Sequence, residues 1–189
     1  QQAEFNYVIG VDGGCALLQH LNVVPNLILG DFDSIDALST YETLWPSAKI
    51  LSFPVQKDYT DSELAIEVIL KEKLDRVVII GALGGRMDHM LGTLFLLDKG
   101  ENLAIVDENN SIERIITPFY KKIEPHEGYV SLIPSREGLH KITLKGFKYP
   151  LFEATILYTE TRGISNEING EGEIRIESGS GYLVRSVDE

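Results

Sequence analysis

The sequence predicts an α/β N-terminal domain with a mainly parallel sheet, followed by an all-β C-terminal domain that is a sandwich or barrel-like. Two different patterns of apolar residues, one in each half of the sequence, predict this fold class. In the first half, short apolar runs alternate with amphipathic helical stretches, which is typical of parallel strands joined by right-handed crossovers. In the second half, strand-like runs are punctuated by proline and glycine, which is typical of antiparallel sheets.

Five apolar runs in the first half predict the parallel strands. They alternate poorly between polar and apolar residues, as expected of strands that helices cover on both faces. After the third run, residues 62–73 place apolar side chains at helical spacing. The predicted strands are Tyr7–Val11, Leu27–Leu29, Lys49–Phe53, Val77–Ile80 and Leu103–Val106.

The second half has no segment that fits a long helix. Its boundary with the first half lies near residues 108–120, which gives predicted domains of residues 1–110 and 111–189. Without a low-complexity linker, the two domains are expected to pack closely. The predicted strands are Tyr129–Ile133, Lys141–Leu144, Ala154–Tyr158, Glu173–Ile176 and Leu183–Arg185.

Composition excludes several classes of protein. A net charge of −12 argues against nucleic-acid binding, which depends on Lys and Arg contacts to phosphates. No run of eighteen apolar residues is present, so we expect no membrane span. The single cysteine, Cys15, fits a reducing cytoplasm and is interpreted as a packing residue. Because the sequence begins at Gln1, almost directly before a strand, we expect a preceding segment.

Aspartates follow the ends of the predicted parallel strands. Asp12 ends the first strand, Asp31 and Asp33 follow the second, Asp58 follows the third, and Asp88 follows the fourth. The carboxyl ends of parallel strands share one edge of a sheet, where ligands bind. Unpaired carboxylates repel one another, so this edge is expected to hold a cation. Oxygen donors without nearby His or Cys favour Mg²⁺, which usually also binds substrate phosphates.

Two aspartates in the segment Gly30–Ser34 are separated by one residue. In an extended segment, Asp31 and Asp33 would face the same side and suit a shared metal ion. Taken alone, Asp33-Ser34 fits a turn and helix N-cap equally well; the aspartates at neighbouring strand ends favour the metal interpretation.

The segment 57–63 combines a loop with a helix start. Thr60 and Glu63 have the spacing of a capping box, and Asp61 suits the positive end of the helix dipole. Lys57 lies before the cap, where it either neutralises a phosphate oxygen or is an ordinary surface lysine.

Glycines separate the fourth strand from the next helix. They would let backbone N–H groups approach a phosphate, and Arg86 would add a bidentate donor. His89 either touches the base or a phosphate of a nucleotide or is a hydrogen-bonded structural residue.

Five short motifs, in this order, resemble the thiamine diphosphokinase (thiamine pyrophosphokinase) family. The motif Gly30–Ser34 is the most distinctive of them. The motifs are Asp12–Gly14, Gly30–Ser34, Lys57–Asp61, Gly84–His89 and Thr161–Asn166.

This resemblance implies an enzyme that transfers pyrophosphate from ATP to the hydroxyl of thiamine. It further implies a homodimer with the active site at the subunit interface, an α/β domain that binds ATP and Mg²⁺, and a β domain that binds thiamine. By analogy, Ser165 and Asn166 line the thiamine pocket, although their segment alone fits an ordinary hairpin turn. The resemblance also implies that Asp31, Asp33 and Asp58 would be the metal ligands and that, with Asp12, they would form the catalytic group. The residues expected at ATP are Asp12, Lys57, Asp58, Arg86, Asp88 and His89.

Two positions depart from the family pattern. Thr93 stands where relatives often carry asparagine, and Trp45 lies in the first domain, so no indole of the second domain can stack on thiamine. Phe147 or Tyr149 could replace it, and either could instead be a core residue.

Two other functions compete with the transferase. One is a phosphohydrolase with Asp31 as the aspartyl-phosphate nucleophile, although the lysine and acidic pair that it needs are not found convincingly. The other is a non-catalytic sensor of thiamine or a nucleotide.

Overall fold

The computed structural model describes residues 5–32, 35–54, 58–72 and 74–188, without the side chains of residues 35–38. The chain divides into two compact units, Gln1–Lys73 and Leu74–Glu189. Within the described ranges, the longest helix has 11 residues, and no helix is long and apolar enough to cross a membrane.

The N-terminal unit is a small α/β unit. Its elements alternate along the chain as β1 (Ile9–Val11), α1 (Gly14–His20), β2 (Leu27–Gly30), α2 (Ile35–Leu44), β3 (Lys49–Ser52) and α3 (Asp61–Lys71). The strands form a parallel sheet in the order β1-β2-β3. The predicted positions of these three strands are therefore confirmed.

Strand β2 is buried along its whole length. Leu27 and Leu29 pack on one side with Ala65 of α3, whereas Ile28 packs on the other with Cys15 and Trp45. This alternation follows from the period of two in a strand. It confirms the prediction that β2 is covered on both faces.

The start of helix α3 agrees with the predicted cap. Thr60 is the N-cap residue, and its side-chain oxygen accepts a hydrogen bond from the backbone N–H of Glu63 at 3.2 Å. Asp61 and Glu63 lie in the first turn, where the helix dipole favours negative charge. Local chemistry thus fixes where this helix begins.

The C-terminal unit contains a mixed sheet of eight strands, one α-helix and a short 3₁₀ helix at Leu97–Lys99. Seven of the strands lie in the order β4-β5-β6-β11-β8-β10-β7, and β9 pairs with β8. Only β4 and β5 pair in parallel. The elements are β4 (Val77–Ile80), α4 (Met87–Leu96), β5 (Leu103–Val106), β6 (Asn110–Ile116), β7 (Phe119–Ile123), β8 (Tyr129–Phe147), β9 (Leu151–Ile156), β10 (Ile168–Ile176) and β11 (Ser178–Ser186).

The placement of β4 and β5 corrects the expectation of one parallel sheet for the first half. Strand β5 pairs with antiparallel β6, so β4 and β5 belong to the larger sheet. The Asp107 carboxylate accepts the backbone N–H groups of Asn109 (2.9 Å) and Asn110 (2.6 Å), which closes the β5–β6 hairpin. The division into compact units therefore falls after residue 73, while the functional assignment of residues 1–110 and 111–189 stays a prediction.

Strand β8 spans 19 residues and joins the two predicted strands Tyr129–Ile133 and Lys141–Leu144 into one. Its backbone has positive φ at Gly138 (75°), Lys141 (52°) and Gly146 (70°), and its pairing register shifts along the strand. Such bulges bend a strand and increase its twist. Strand β8 can therefore pair first with β11 and then with β10 without a break in the chain.

Helix α1 approaches β1 closely at Gly10. A Cβ atom added there would lie 2.8 Å from the sulfur of Cys15 and 3.0 Å from Cδ1 of Leu18. Both neighbours face the sheet, and Cys15 is fully buried. The absence of a side chain at Gly10 thus sets the distance between this helix and its strand.

We expect Gly10→Ala to lower the free energy of unfolding by about 1–3 kcal/mol, because overpacking forces the helix away from the sheet. Urea denaturation measures the change. Gly14→Ala is the matched control, since a Cβ there meets no atom within 4 Å. Equal stability of the Gly10 variant and the native protein would contradict the close approach.

Candidate active site

Two aspartates lie at the same edge of the N-terminal sheet. The backbone N–H of Asp12 donates to the carbonyl of Leu29 at 2.8 Å, so the end of β1 is bonded to β2. Asp31 follows Gly30, whose carbonyl accepts the N–H of Phe53 at 3.0 Å. Asp12 is exposed and Asp31 is half-buried. The structure therefore brings these two predicted site residues to adjacent strand ends.

The backbone at this edge is strained. Asp12 has φ 45° and Phe32 has φ 43°, both in the left-handed region. That conformation costs a residue with a side chain roughly 1–2 kcal/mol, and such residues concentrate at functional sites. The backbone at Phe32 is thus not extended, whereas the prediction that Asp31 and Asp33 share a metal ion stays a prediction. Asp33 itself lies outside the described residues.

The third predicted metal ligand, Asp58, lies in the loop after β3. It is exposed and comes two residues before the N-cap Thr60, so the cap does not use it. Lys57, its predicted phosphate-binding neighbour, lies outside the described residues.

The donor chemistry of this edge fits Mg²⁺. Asp12, Asp31 and Asp58 offer only oxygen atoms, which Mg²⁺ prefers. In the part of the chain that the structure describes, no three His, Cys, Asp or Glu side chains are close enough together to hold a metal ion. An ion bound here would therefore depend on water, phosphate oxygens or residues beyond the described ranges, and Mg²⁺ commonly keeps such ligands.

Cys15 lies beneath the same edge. Burial, with a smaller contribution from the charge of Asp12, raises the pKa of its thiol to about 11. The thiol therefore stays protonated at neutral pH. Its complete burial confirms the interpretation as a packing residue.

In the C-terminal unit, a glycine-rich turn leads from β4 into α4. Gly81, Gly84 and Gly85 have φ of 80°, 88° and 65°, and a Cβ at any of them would meet open space. The glycines are therefore needed for their backbone conformation and not for close packing. Arg86 follows them as the N-cap residue of α4.

Arg86 and Asp88 form a two-point ion pair. The Nε and Nη2 atoms of Arg86 donate to the Asp88 carboxylate at 3.1 and 2.6 Å. The hydrogen bonds from Arg86, together with one from the backbone N–H of His89, lower the pKa of Asp88 to about 2. Both side chains are exposed. Asp88 therefore orients the guanidinium, while the exposed His89 contributes its backbone to the same carboxylate.

The segment 161–166 packs along β8. Its residue Ser165 has φ 59°, is exposed, and donates its backbone N–H to the Ser131 hydroxyl at 3.0 Å. Gly163 has no side chain, and a Cβ atom added there would lie 2.3 Å from the carbonyl oxygen of Leu132. The turn can therefore approach the strand only with glycine at this position.

The Asn166 side chain is buried and bonded to backbone groups, whereas a residue that contacts substrate is expected to be exposed. It is 7% exposed, and its Oδ1 accepts the backbone N–H groups of Tyr149 and Glu167, each at 3.0 Å. Its Nδ2 donates to the carbonyl of Tyr149 at 2.8 Å. The side-chain amide thus holds the turn after β8 against the segment that ends at Ser165.

The two aromatic candidates differ in exposure. Phe147 is 5% exposed and belongs to the core of the C-terminal unit, whereas Tyr149 is 57% exposed beside the Asn166 amide. Thr93, the other departure from the family pattern, is buried in α4. Of the two aromatic residues, Tyr149 is the one available to a ligand.

Sequence reasoning missed a contact chain of aromatic residues in the N-terminal unit. Phe32 packs edge-on against Tyr41, with ring centroids 6.1 Å apart, and Tyr41 stacks on Trp45 at 5.5 Å. The spacing of Tyr41 and Trp45 is a recognisable i, i+4 helical pair. The contact with Phe32 crosses from a loop to a helix and has no such signal.

Comparisons with known proteins match both halves of the chain. The family model for the thiamin pyrophosphokinase catalytic domain matches residues 2–106, and that for the vitamin B1 binding domain matches residues 119–183. Thiamine pyrophosphokinase from Bacillus subtilis is 36% identical over 187 residues, covering 95% of this chain and 87% of the relative.

Solved structures agree with these matches. The crystal structure of thiamine pyrophosphokinase from Bacillus subtilis has a TM-score of 0.88 at 34% identity, covering 99% of this chain and 91% of that one. Thiamin pyrophosphokinase from Geobacillus thermodenitrificans has a TM-score of 0.84 at 30% identity, covering 99% and 89%. The chain therefore belongs to the thiamine pyrophosphokinase family of enzymes, which form thiamine diphosphate with ATP as donor.

Proposed function

We propose that the thiamine hydroxyl attacks the β-phosphorus of ATP directly. A bond forms between the hydroxyl oxygen and this phosphorus, and the bond to the bridging oxygen of the α-phosphate breaks, which releases AMP. The observation that carries the proposal is the meeting of Asp12 and Asp31 at adjacent ends of the parallel strands, within the residues matched by the catalytic family model. Transfers of this kind depend mainly on positioning and on charge neutralisation.

Asp31, Asp33 and Asp58 are our proposed Mg²⁺ ligands, with Asp12 close to the phosphates. When bound there, Mg²⁺ would supply positive charge to the phosphate oxygens. The proton of the thiamine hydroxyl passes to a carboxylate, for which Asp12 and Asp58 are the two candidates. Both are exposed, which supports access to substrate.

The glycine-rich turn and Arg86 support nucleotide binding in the C-terminal unit. The Asp88 carboxylate fixes two of the guanidinium nitrogens, so Arg86 is presented in one orientation. We infer that Asp88 acts through Arg86, while Lys57 and His89 are further candidates for the phosphates and the base.

Thiamine is proposed to contact Ser165 and Tyr149. Both are exposed on turns that Asn166 ties together, which supports an indirect role for Asn166 in the pocket. The thiazolium ring of thiamine carries a positive charge, and the Tyr149 ring already attracts one cation, the Lys148 Nζ, 5.6 Å from the ring centroid, whose place thiamine would take.

We further propose that the protein is a homodimer with its active site at the subunit interface and that it is located in the cytoplasm. A buried, protonated cysteine fits a reducing compartment. We also infer a sandwich-like β domain, since bulged β8 supplies pairing edges to β11, β10 and β9 around one buried core.

The alternative functions are not favoured by the family assignment. Incubation with ATP, Mg²⁺ and thiamine separates all three. The transferase forms AMP only with thiamine, a phosphohydrolase releases inorganic phosphate without it, and a sensor binds without forming AMP.

Asp31→Asn should reduce thiamine-dependent AMP formation by at least about 100-fold, because the site loses charge where the phosphates are neutralised. The melting temperature should stay near that of the native protein. Asp75→Asn, at an exposed position before β4, is the control with unchanged turnover. Native turnover in the Asp31 variant and in Asp33→Asn would defeat the metal proposal.

Asp88→Asn should raise the KM for ATP by about tenfold, because Arg86 loses a charge-assisted, two-point partner. The lowered pKa means that the ion pair is intact above the ordinary aspartate range and is lost only as the pH falls through about 2. The KM ratio of variant to native should thus be constant between pH 6 and 9. A ratio that varies over this range, or equals one, contradicts the role of Asp88.

Tyr149→Ala should raise the KM for thiamine by about tenfold through loss of the aromatic face, while Tyr149→Phe retains it. Phe152→Ala, on neighbouring β9, is the control because Phe152 is also highly exposed. Asn166→Ala should raise the same KM and also destabilise the fold, since it removes the hydrogen bonds of the Asn166 amide to the backbone N–H and carbonyl of Tyr149. An unchanged KM in Tyr149→Ala would exclude the stacking contact.

A further inference from the structure

Phe32 combines an unfavourable backbone conformation with a packed ring. Its φ of 43° is one that bulky residues rarely adopt, and it lies between Asp31 and Asp33. The ring is partly buried and packs against the core cluster formed by Cys15, Ile28 and Trp45. Interactions of the ring are therefore available to hold the backbone in this conformation.

The ring of Phe32 is connected to the buried core through two further aromatic rings. It meets Tyr41 at an interplanar angle of 66° with centroids 6.1 Å apart, and Tyr41 lies nearly parallel to Trp45, at 9° and 5.5 Å. Trp45 is 5% exposed. The contacts run from the loop after β2, through the end of α2, to the core beneath the sheet.

A left-handed residue changes the direction of the chain. If Phe32 relaxed to negative φ, the peptides on its two sides would rotate, and the direction in which the chain leaves Asp31 would change. Such strain persists only where the surrounding structure holds it. The contact with Tyr41 supplies this restraint at the point where the proposed metal ligands are joined.

We propose that Phe32 is a positioning residue: its ring contact with Tyr41, which stacks on Trp45, holds the left-handed backbone next to Asp31 at the edge proposed to bind the metal–nucleotide complex. The inference rests on the proposed function of this edge. It assigns Phe32 no contact with substrate.

Phe32→Gly separates the ring from the backbone conformation, because glycine adopts positive φ without penalty but has no ring. We expect the Mg²⁺ concentration for half-maximal AMP formation to rise by about tenfold or more, as for other residues that support metal ligands. Phe32→Tyr should restore the native value. Phe5→Ala, an exposed phenylalanine of the same unit, is the control.

Tyr41→Leu tests the same contact from the other ring and guards against loss of folding in the glycine variant. It should raise the Mg²⁺ requirement in the same direction. The increase in melting temperature caused by Mg²⁺ and ATP together provides a readout besides activity, and it should shrink in both variants but not in Phe32→Tyr.

The outcomes distinguish this inference from the proposed function. Native Mg²⁺ dependence and a native melting shift in Phe32→Gly or Tyr41→Leu would overturn the positioning role while leaving the transferase intact. If the native protein forms no thiamine-dependent AMP, the proposed reaction fails, and the melting shift still tests Phe32. If the native protein shows no melting shift with Mg²⁺ and ATP, native Mg²⁺ dependence of AMP formation in both variants overturns the positioning role.

Discussion

Negative charge gathered at the carboxyl edge of the N-terminal sheet is the constraint on which the proposed site depends. Asp12 and Asp31 end neighbouring parallel strands, and the bond from the Asp12 N–H to the Leu29 carbonyl ties those ends together. Carboxylates that share one sheet edge favour a cation between them. Strand β2, buried on both faces, gives the edge a rigid base. The backbone that carries Asp12 and Asp31 is thus anchored to the buried sheet.

Two polar side chains of the C-terminal unit bond to other groups of the protein. Asn166 bonds to the backbone of Tyr149 on both its N–H and its carbonyl, and Asp88 bonds to two nitrogens of Arg86. Both side chains thus orient neighbouring groups of the protein. A sequence motif can therefore contain residues that support the local structure as well as residues that contact a substrate.

Features that depend on local chemistry could be predicted from the sequence. Apolar runs located β1, β2 and β3, and the Thr60–Glu63 spacing located the start of α3. Features that depend on distant partners could not. The pairing of β5 with β6, the continuity of β8 through its bulges, and the contact of Phe32 with Tyr41 each join segments whose separate patterns are ordinary. Asn166 belongs to a short motif in the sequence, but its buried amide is visible only in the fold.

The β5–β6 hairpin limits how the two halves of the enzyme can be exchanged in evolution or by engineering. The family models divide between residues 106 and 119, where the chain forms this hairpin. A cut there would strip β5 of a strand partner and leave an apolar edge open to intermolecular pairing. The two halves therefore cannot be exchanged independently. A catalytic half without β6 would expose the edge of β5 and favour aggregation unless its new partner supplied a strand of matching register.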